Sequence, residues 1–156
     1  MANLFPEGYE EEIVTESEIA SDTPIGYLRG PAFDYTTGDF IRDGKNKVVG
    51  CTGTESWEAW CRNTLSTERY KHLGYSTDIG IELDAVFQAQ SRKEAESILS
   101  RQITEALLAD PYGRTEYVET IGYTWTDPDA VVVSLVICGI NHVTIDITTN
   151  ITRGGF

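Results

Sequence analysis

The 156-residue chain is predicted to fold as an α+β domain: a mostly antiparallel sheet with two or three helices packed on one face, preceded by an extended acidic N-terminal arm. Three observations predict this. Strand-like patterning gathers towards both ends of the chain, with helical periodicity between. Two segments open on paired helix-capping residues. The first fifth of the chain holds close to half of the net charge of −13.

The arm comes first. Residues 1–31 carry Glu7, Glu10, Glu11, Glu12, Glu16, Glu18 and Asp22 against a single base, Arg29, and are broken by Pro6, Gly8, Pro24, Gly26, Gly30 and Pro31. Its apolar start, Leu4-Phe5-Pro6, is too small to fold alone and is expected to dock on a neighbour. The start MANLFPEGYEEE has no basic residues followed by an apolar run, so no signal peptide is expected. Residues 32–156 form the single domain. Within it, AFDYTTGDFIRDGKNKVVGC (32–51) predicts a small antiparallel meander with turns at Gly38-Asp39 and Asp43-Gly44, where Asp-Gly tolerates positive φ.

Thr52 and Glu55 form a Thr-x-x-Glu capping box that opens a helix. Its buried face is Trp57, Trp60, Cys61 and Leu65. Leu83, Val86 and Phe87 predict a short second helix. Ser91 and Glu94 cap a third, buried along Ala95, Ile98, Leu99, Ile103, Ala106 and Leu107 and ended by Asp110-Pro111 and Gly113. Residues 115–152 are β: Tyr117, Ile121, Tyr123 and Trp125 fall on one parity, and Asp127-Pro128-Asp129 turns the chain. Val131–Cys138 reads as a strand buried on both faces. A turn at Gly139-Ile140-Asn141 leads to a last strand, His142–Thr152, with Val143, Ile145 and Ile147 alternating against Thr144, Asp146 and Thr148.

Several function classes are disfavoured. An acidic chain lacks the clustered Lys and Arg of a nucleic-acid binder. No apolar run approaches a membrane span, so no insertion is expected. Cys51, Cys61, Cys138, His72 and His142 have no metal-ligand spacing, and no cofactor is expected. GxSxG, phosphate-loop and HExxH patterns are absent. Cys61 and His72 could pair as nucleophile and base, but Cys61 shares its helix face with two tryptophans. Glu68, Asp78 and Glu82 are the carboxylates available to a muramidase. A free-standing acidic adaptor acting through residues 7–22 is the other alternative.

The run LSTERYKHLGYSTDIGIEL, followed by the capped helix ending ILSRQITEALLADPYGR, resembles the PBSX-type prophage baseplate family, within the larger group of lysozyme-like baseplate wedge proteins of contractile tails. The Asn3-Leu4-Phe5-Pro6 start and the FDYTTGDF strand fit in order. The wider group carries an Arg before a short loop and a Gly, matched by Arg69 and Gly80. Its Glu-Pro-Arg motif after the long helix is matched by Asp110-Pro111-Tyr112-Gly113-Arg114, with a shorter acid and two inserted residues. The resemblance implies a non-enzymatic subunit of a phage tail baseplate, six copies per baseplate, made and assembled in the bacterial cytoplasm. It implies contact with other wedge proteins through Arg69, Gly80, Asp110, Pro111 and Arg114, and strands on which sheath subunits polymerise.

The residues themselves add one point. The last strand has no proline or lysine to blunt pairing, so His142, Val143, Thr144, Ile145, Asp146, Ile147 and Thr148 are candidates for pairing with a sheath strand. A central position for that strand is the alternative. For Arg69 and Arg114, the alternative is bracing of the chain's own loops.

Overall fold

In the computed structural model, which describes residues 26–153, four two-residue strands precede the helices: β1 (Gly30–Pro31), β2 (Phe33–Asp34), β3 (Asp39–Phe40) and β4 (Gly50–Cys51). β1 pairs with β4 and β2 with β3, both antiparallel, and Arg42 bridges Val48. The antiparallel pairing is as expected, but β1 closes on β4 around the β2–β3 pair, so the segment is two nested pairs and not a meander. Three rings help hold it, with Phe33 5.3 Å from Tyr35 and 5.7 Å from Phe40. One turn differs from expectation. Asp43 Oδ1 accepts the amides of Lys45 and Lys47, and Asn46, not Gly44, takes the positive φ of 61°. An asparagine tolerates that conformation once the carboxylate has closed the turn.

Helix α1 (Gly53–Ser66) starts at the predicted capping box. Glu55 N–H donates to Thr52 Oγ1, and Thr52 N–H to Glu55 Oε2. Trp57, Cys61 and Leu65 are buried on its inner face, and Trp60 is half-buried. A short α2 (Leu83–Phe87) follows, then α3 (Arg92–Leu108). At the start of α3, Ser91 caps Glu94 N–H, but the Glu94 carboxylate returns to the amide of Gln90 instead of Ser91. The box is therefore open by one residue.

The remaining chain is one antiparallel sheet in the order β5 (Thr115–Asp127), β6 (Ala130–Gly139), β7 (Thr144–Thr152). Its inner face sets Val131, Val133, Leu135, Ile137, Ile145, Ile147 and Ile151 against α1 and α3. Burying one such side chain stabilises the fold by about 1.5–3 kcal/mol. The helices cover one face only, so β6 is not buried on both: Val132, Ser134 and Val136 stay partly exposed. β5 also departs from a single parity. Its register with β6 shifts between Thr120 and Gly122, so Val118 packs on the core before the bulge and Tyr123 and Trp125 after it, while Tyr117 points outward.

Tyr27, within the stretch read as arm, packs on the body. Tyr27 lies half-buried, 5.3 Å from the Trp57 ring, and donates its hydroxyl to the Ile140 carbonyl at 2.8 Å. Burial and the nearby Glu116 raise the pKa of that hydroxyl. Leu4, Phe5, Pro6 and the acids from Glu7 to Asp22 lie outside the described residues.

Candidate functional site

Two loops and one strand carry the residues singled out above. The first loop follows α3. Pro111 cannot continue the helix, and Gly113 turns the chain at φ +60°. The Asp110 carboxylate then gathers four donors: the amides of Tyr112 at 3.2 Å and Arg114 at 2.9 Å, and the Arg114 guanidinium through Nε at 2.8 Å and Nη2 at 2.9 Å. The side chains of Arg114 and Asp110 are 4% and 0% exposed. Trp60 and Tyr112 rings lie 5.7 and 5.0 Å from the guanidinium carbon. The Arg114 carbonyl accepts from Ile140 N–H at 2.9 Å, which ties the start of β5 to the β6–β7 turn. Both charges are thus spent inside the chain, and an approaching protein meets Pro111, Tyr112 and Gly113, which are exposed. Cys61 is buried nearby. Burial, and then the Asp110 charge, push its thiol well above the usual range, which leaves no nucleophile there.

The second loop joins α1 to α2, and its two ends are clamped together. Arg69 N–H donates to the Ile81 carbonyl and Ile81 N–H to the Thr67 carbonyl, each at 3.0 Å. Arg69 Nε reaches the Gly80 carbonyl at 2.9 Å. Gly80 sits at φ +93°, and a Cβ there would press on the Thr67 carbonyl oxygen, so only glycine closes this clamp without strain. Arg69 Nη1 lies 3.8 Å from Glu105 on α3. Buried Gln102 of α3 accepts from Glu82 N–H at 2.7 Å and fixes the far end of the loop. The structure therefore brings Arg69 and Gly80 together, as a brace. Tyr70 adopts φ +69°, a left-handed conformation that costs a bulky residue about 1–3 kcal/mol.

β7 is an outer strand: among the described residues its one strand neighbour is β6. His142 and Val143 do not belong to it. Asn141 and His142, both at φ 59°, form a tight turn that delays the strand to Thr144. The register from Cys138–Thr144 to Ala130–Thr152 has no irregularity. Gly139 donates to the Val143 carbonyl at 2.8 Å, and hydrogen-bonded pairs of an antiparallel ladder recur at every second residue. Ile145, Ile147, Thr149 and Ile151 therefore direct their backbone groups to β6. Thr144, Asp146, Thr148 and Asn150 direct theirs to the outer edge.

Two carboxylates of the muramidase alternative are engaged locally, Asp78 by the Ser76 hydroxyl. Glu68 is held by Lys71, and Glu82 stands at the start of α2 with its amide on Gln102. A shallow groove of about 290 Å³ beside the nested strand pairs holds two acids, Glu55 and Glu58. Glu55 is engaged by Thr52, whose hydrogen bonds hold its carboxyl below the usual range, the opposite of what a general acid needs. Glu58 is paired with Arg62 at 2.8 Å. Among the described residues no group of three or more His, Cys, Asp or Glu is placed to hold a metal ion. None of their helices is long and apolar enough to cross a membrane.

What these residues assemble is a small α+β body with two braced loops and an outer strand. Residues 29–136 match the model of the contractile injection system sheath initiator family, and the chain belongs to that family. No curated protein matches it. The family gives the chain a structural role in sheath assembly, among the sheath and baseplate components of a contractile particle. The matched residues take in both braced loops and end within β6, before β7.

Sequence reasoning missed Tyr27, which composition had assigned to the arm. An aromatic residue followed closely by the Gly30-Pro31 strand was the available signal. It also gave Arg69 and Arg114 equal standing, although the structure buries both members of the Arg114–Asp110 pair and sets the largely buried Arg69 against a half-exposed Glu105.

Proposed function

We propose that this chain starts the sheath of a contractile phage tail or phage-like particle as a non-enzymatic subunit of the PBSX-type baseplate family. Six copies ring the baseplate. Each is held by wedge proteins on the side that carries the Arg69–Gly80 clamp and the Pro111–Gly113 turn, and each pairs a sheath strand along β7. The apolar Leu4-Phe5-Pro6 end of the arm docks on a neighbouring subunit.

The observation that carries the reading is the outer edge of β7. Four residues, Thr144, Asp146, Thr148 and Asn150, present outward backbone donors and acceptors in unbroken register, and one charge interrupts them. An added strand takes its affinity from such backbone pairs and its register from the alternating side chains. Conformational change in the baseplate then passes to the sheath through a shared sheet, with no bond made or broken.

Removing β7 whole would strip Ile145, Ile147 and Ile151 from the core, so a point substitution is the cleaner test. Thr148→Pro removes one outward N–H and leaves the β6 ladder intact, a change that an edge strand tolerates. Particles carrying the variant should retain the subunit, and electron microscopy should find tubes without sheath. Sheaths of normal length on such particles would refute the pairing.

A further inference from the structure

The loop from Tyr70 to Tyr75 has a construction that the strand-pairing role does not use. Its base is rigid: three hydrogen bonds join Thr67 and Arg69 to Gly80 and Ile81, and Gln102 holds Glu82. Its tip is apolar and faces solvent. Leu73 is fully exposed, Tyr70 is 65% exposed and Tyr75 is 48% exposed. Tyr75 meets His72 edge-on at 5.6 Å, and both residues are exposed. Of the large hydrophobic residues described, Leu73 alone has no part of its side chain covered. A flexible loop could fold such residues back onto the body. Here Tyr70 takes the left-handed region at φ +69°, and the tip residues face solvent.

The charge of the tip runs against that of the chain. The protein carries a net −13, yet residues 70–75 contain no carboxylate: Lys71 and His72 precede Leu73, and Lys71 remains mostly exposed while paired with Glu68 at the base. An acidic surface that the rest of the body would repel can approach here. A loop whose base is clamped before binding loses little backbone freedom on insertion, which suits the leucine and tyrosines at its tip to be anchors of a protein contact.

We infer that the Tyr70–Tyr75 tip is a plug, with Leu73 entering an apolar pocket on another protein subunit of the particle whose rim carries carboxylates that face Lys71. The inference rests on the reading of the chain as a particle subunit, and it names the chemistry by which the wedge side is recognised.

The test uses the full chain in cells that assemble particles. Leu73→Glu cannot unfold the protein, because the side chain touches nothing, and its melting temperature should match the wild type. Copies of the chain per purified particle, counted by quantitative mass spectrometry, should fall on the order of tenfold or more with Leu73→Glu, the loss expected of a central anchor. Lys71→Glu should lower them less, and Leu73→Met should restore them. Wild-type occupancy by Leu73→Glu overturns the plug and leaves the sheath reading standing. Absence of the wild-type chain from particles overturns both. A purified wild-type dimer that Leu73→Glu converts to monomer in light scattering overturns the proposal in favour of a second copy. Binding to phosphatidylglycerol vesicles that Leu73→Glu abolishes overturns it in favour of a lipid surface.

Discussion

The two outer strands of the sheet differ in ways that bear on assembly. β5 runs thirteen residues but breaks register with β6 at three places and carries exposed Glu116 and Glu119. β7 runs nine residues in unbroken register and carries one charge, Asp146. Bulges and charges are the devices by which a sheet edge is kept from pairing with other chains. By that measure β5 is a closed edge and β7 an open one. The difference teaches that a single sheet can guard one side while it offers the other, and that the guard is built into backbone register as much as into side chains.

The comparison can be broken from the β5 side first, where the energy is largest. Arg114 ties the start of β5 to the β6–β7 turn and balances a fully buried carboxylate. Arg114→Ala leaves Asp110 charged and unpaired in the interior, so chemical denaturation should show a loss of about 3–5 kcal/mol. A loss below about 1 kcal/mol would mean that the pair is surface-like and that β5 is held by other means. The same result warns that Arg114→Ala cannot serve as a probe of wedge contact, since a weaker fold also lowers incorporation.

A milder change sharpens the β7 side. Thr148→Lys places on the open edge the charge that guards edges elsewhere. Stability should stay within about 0.5 kcal/mol of wild type, as for most surface substitutions, while the fraction of sheathed particles falls without vanishing. An unchanged fraction would show that the sheath strand does not run along Thr148. The smallest effect belongs to β5 again. Glu119→Gln should leave both the melting curve and sheath length as they were, and any loss of sheath would place the working edge on the wrong strand.

Much of this architecture follows from neighbours along the chain. The caps of α1 and α3 join residues three apart, and the Trp57, Cys61, Leu65 face follows from helical spacing, so both could be found without a structure. β6 was equally plain from the apolar run Val131–Cys138, and β7 from alternating Val, Ile and Thr. Other features depended on distant partners. The bulge between Thr120 and Gly122 flips β5, and no residue type there announces it. Tyr27 belongs to the body because Trp57 and Ile140 receive it from 30 and 113 residues away. Asp110 and Arg114 could be named as a pair, but the rings of Trp60 and Tyr112 that help bury it come partly from another helix.

The order of amino acids by itself determined the kinds of elements, their capped ends and the inner face of each helix, because hydrogen bonds and side-chain spacing within three or four residues decide those. It also determined that the chain is strongly acidic and carries no metal or nucleotide motif. Only the tertiary structure decided which strand lies at an edge, which backbone groups face outward from it, that Arg114 turns inward, and that Leu73 stands clear of the body. Those are matters of what packs beside what, and the free energy that settles them is spread over contacts between residues far apart in the chain.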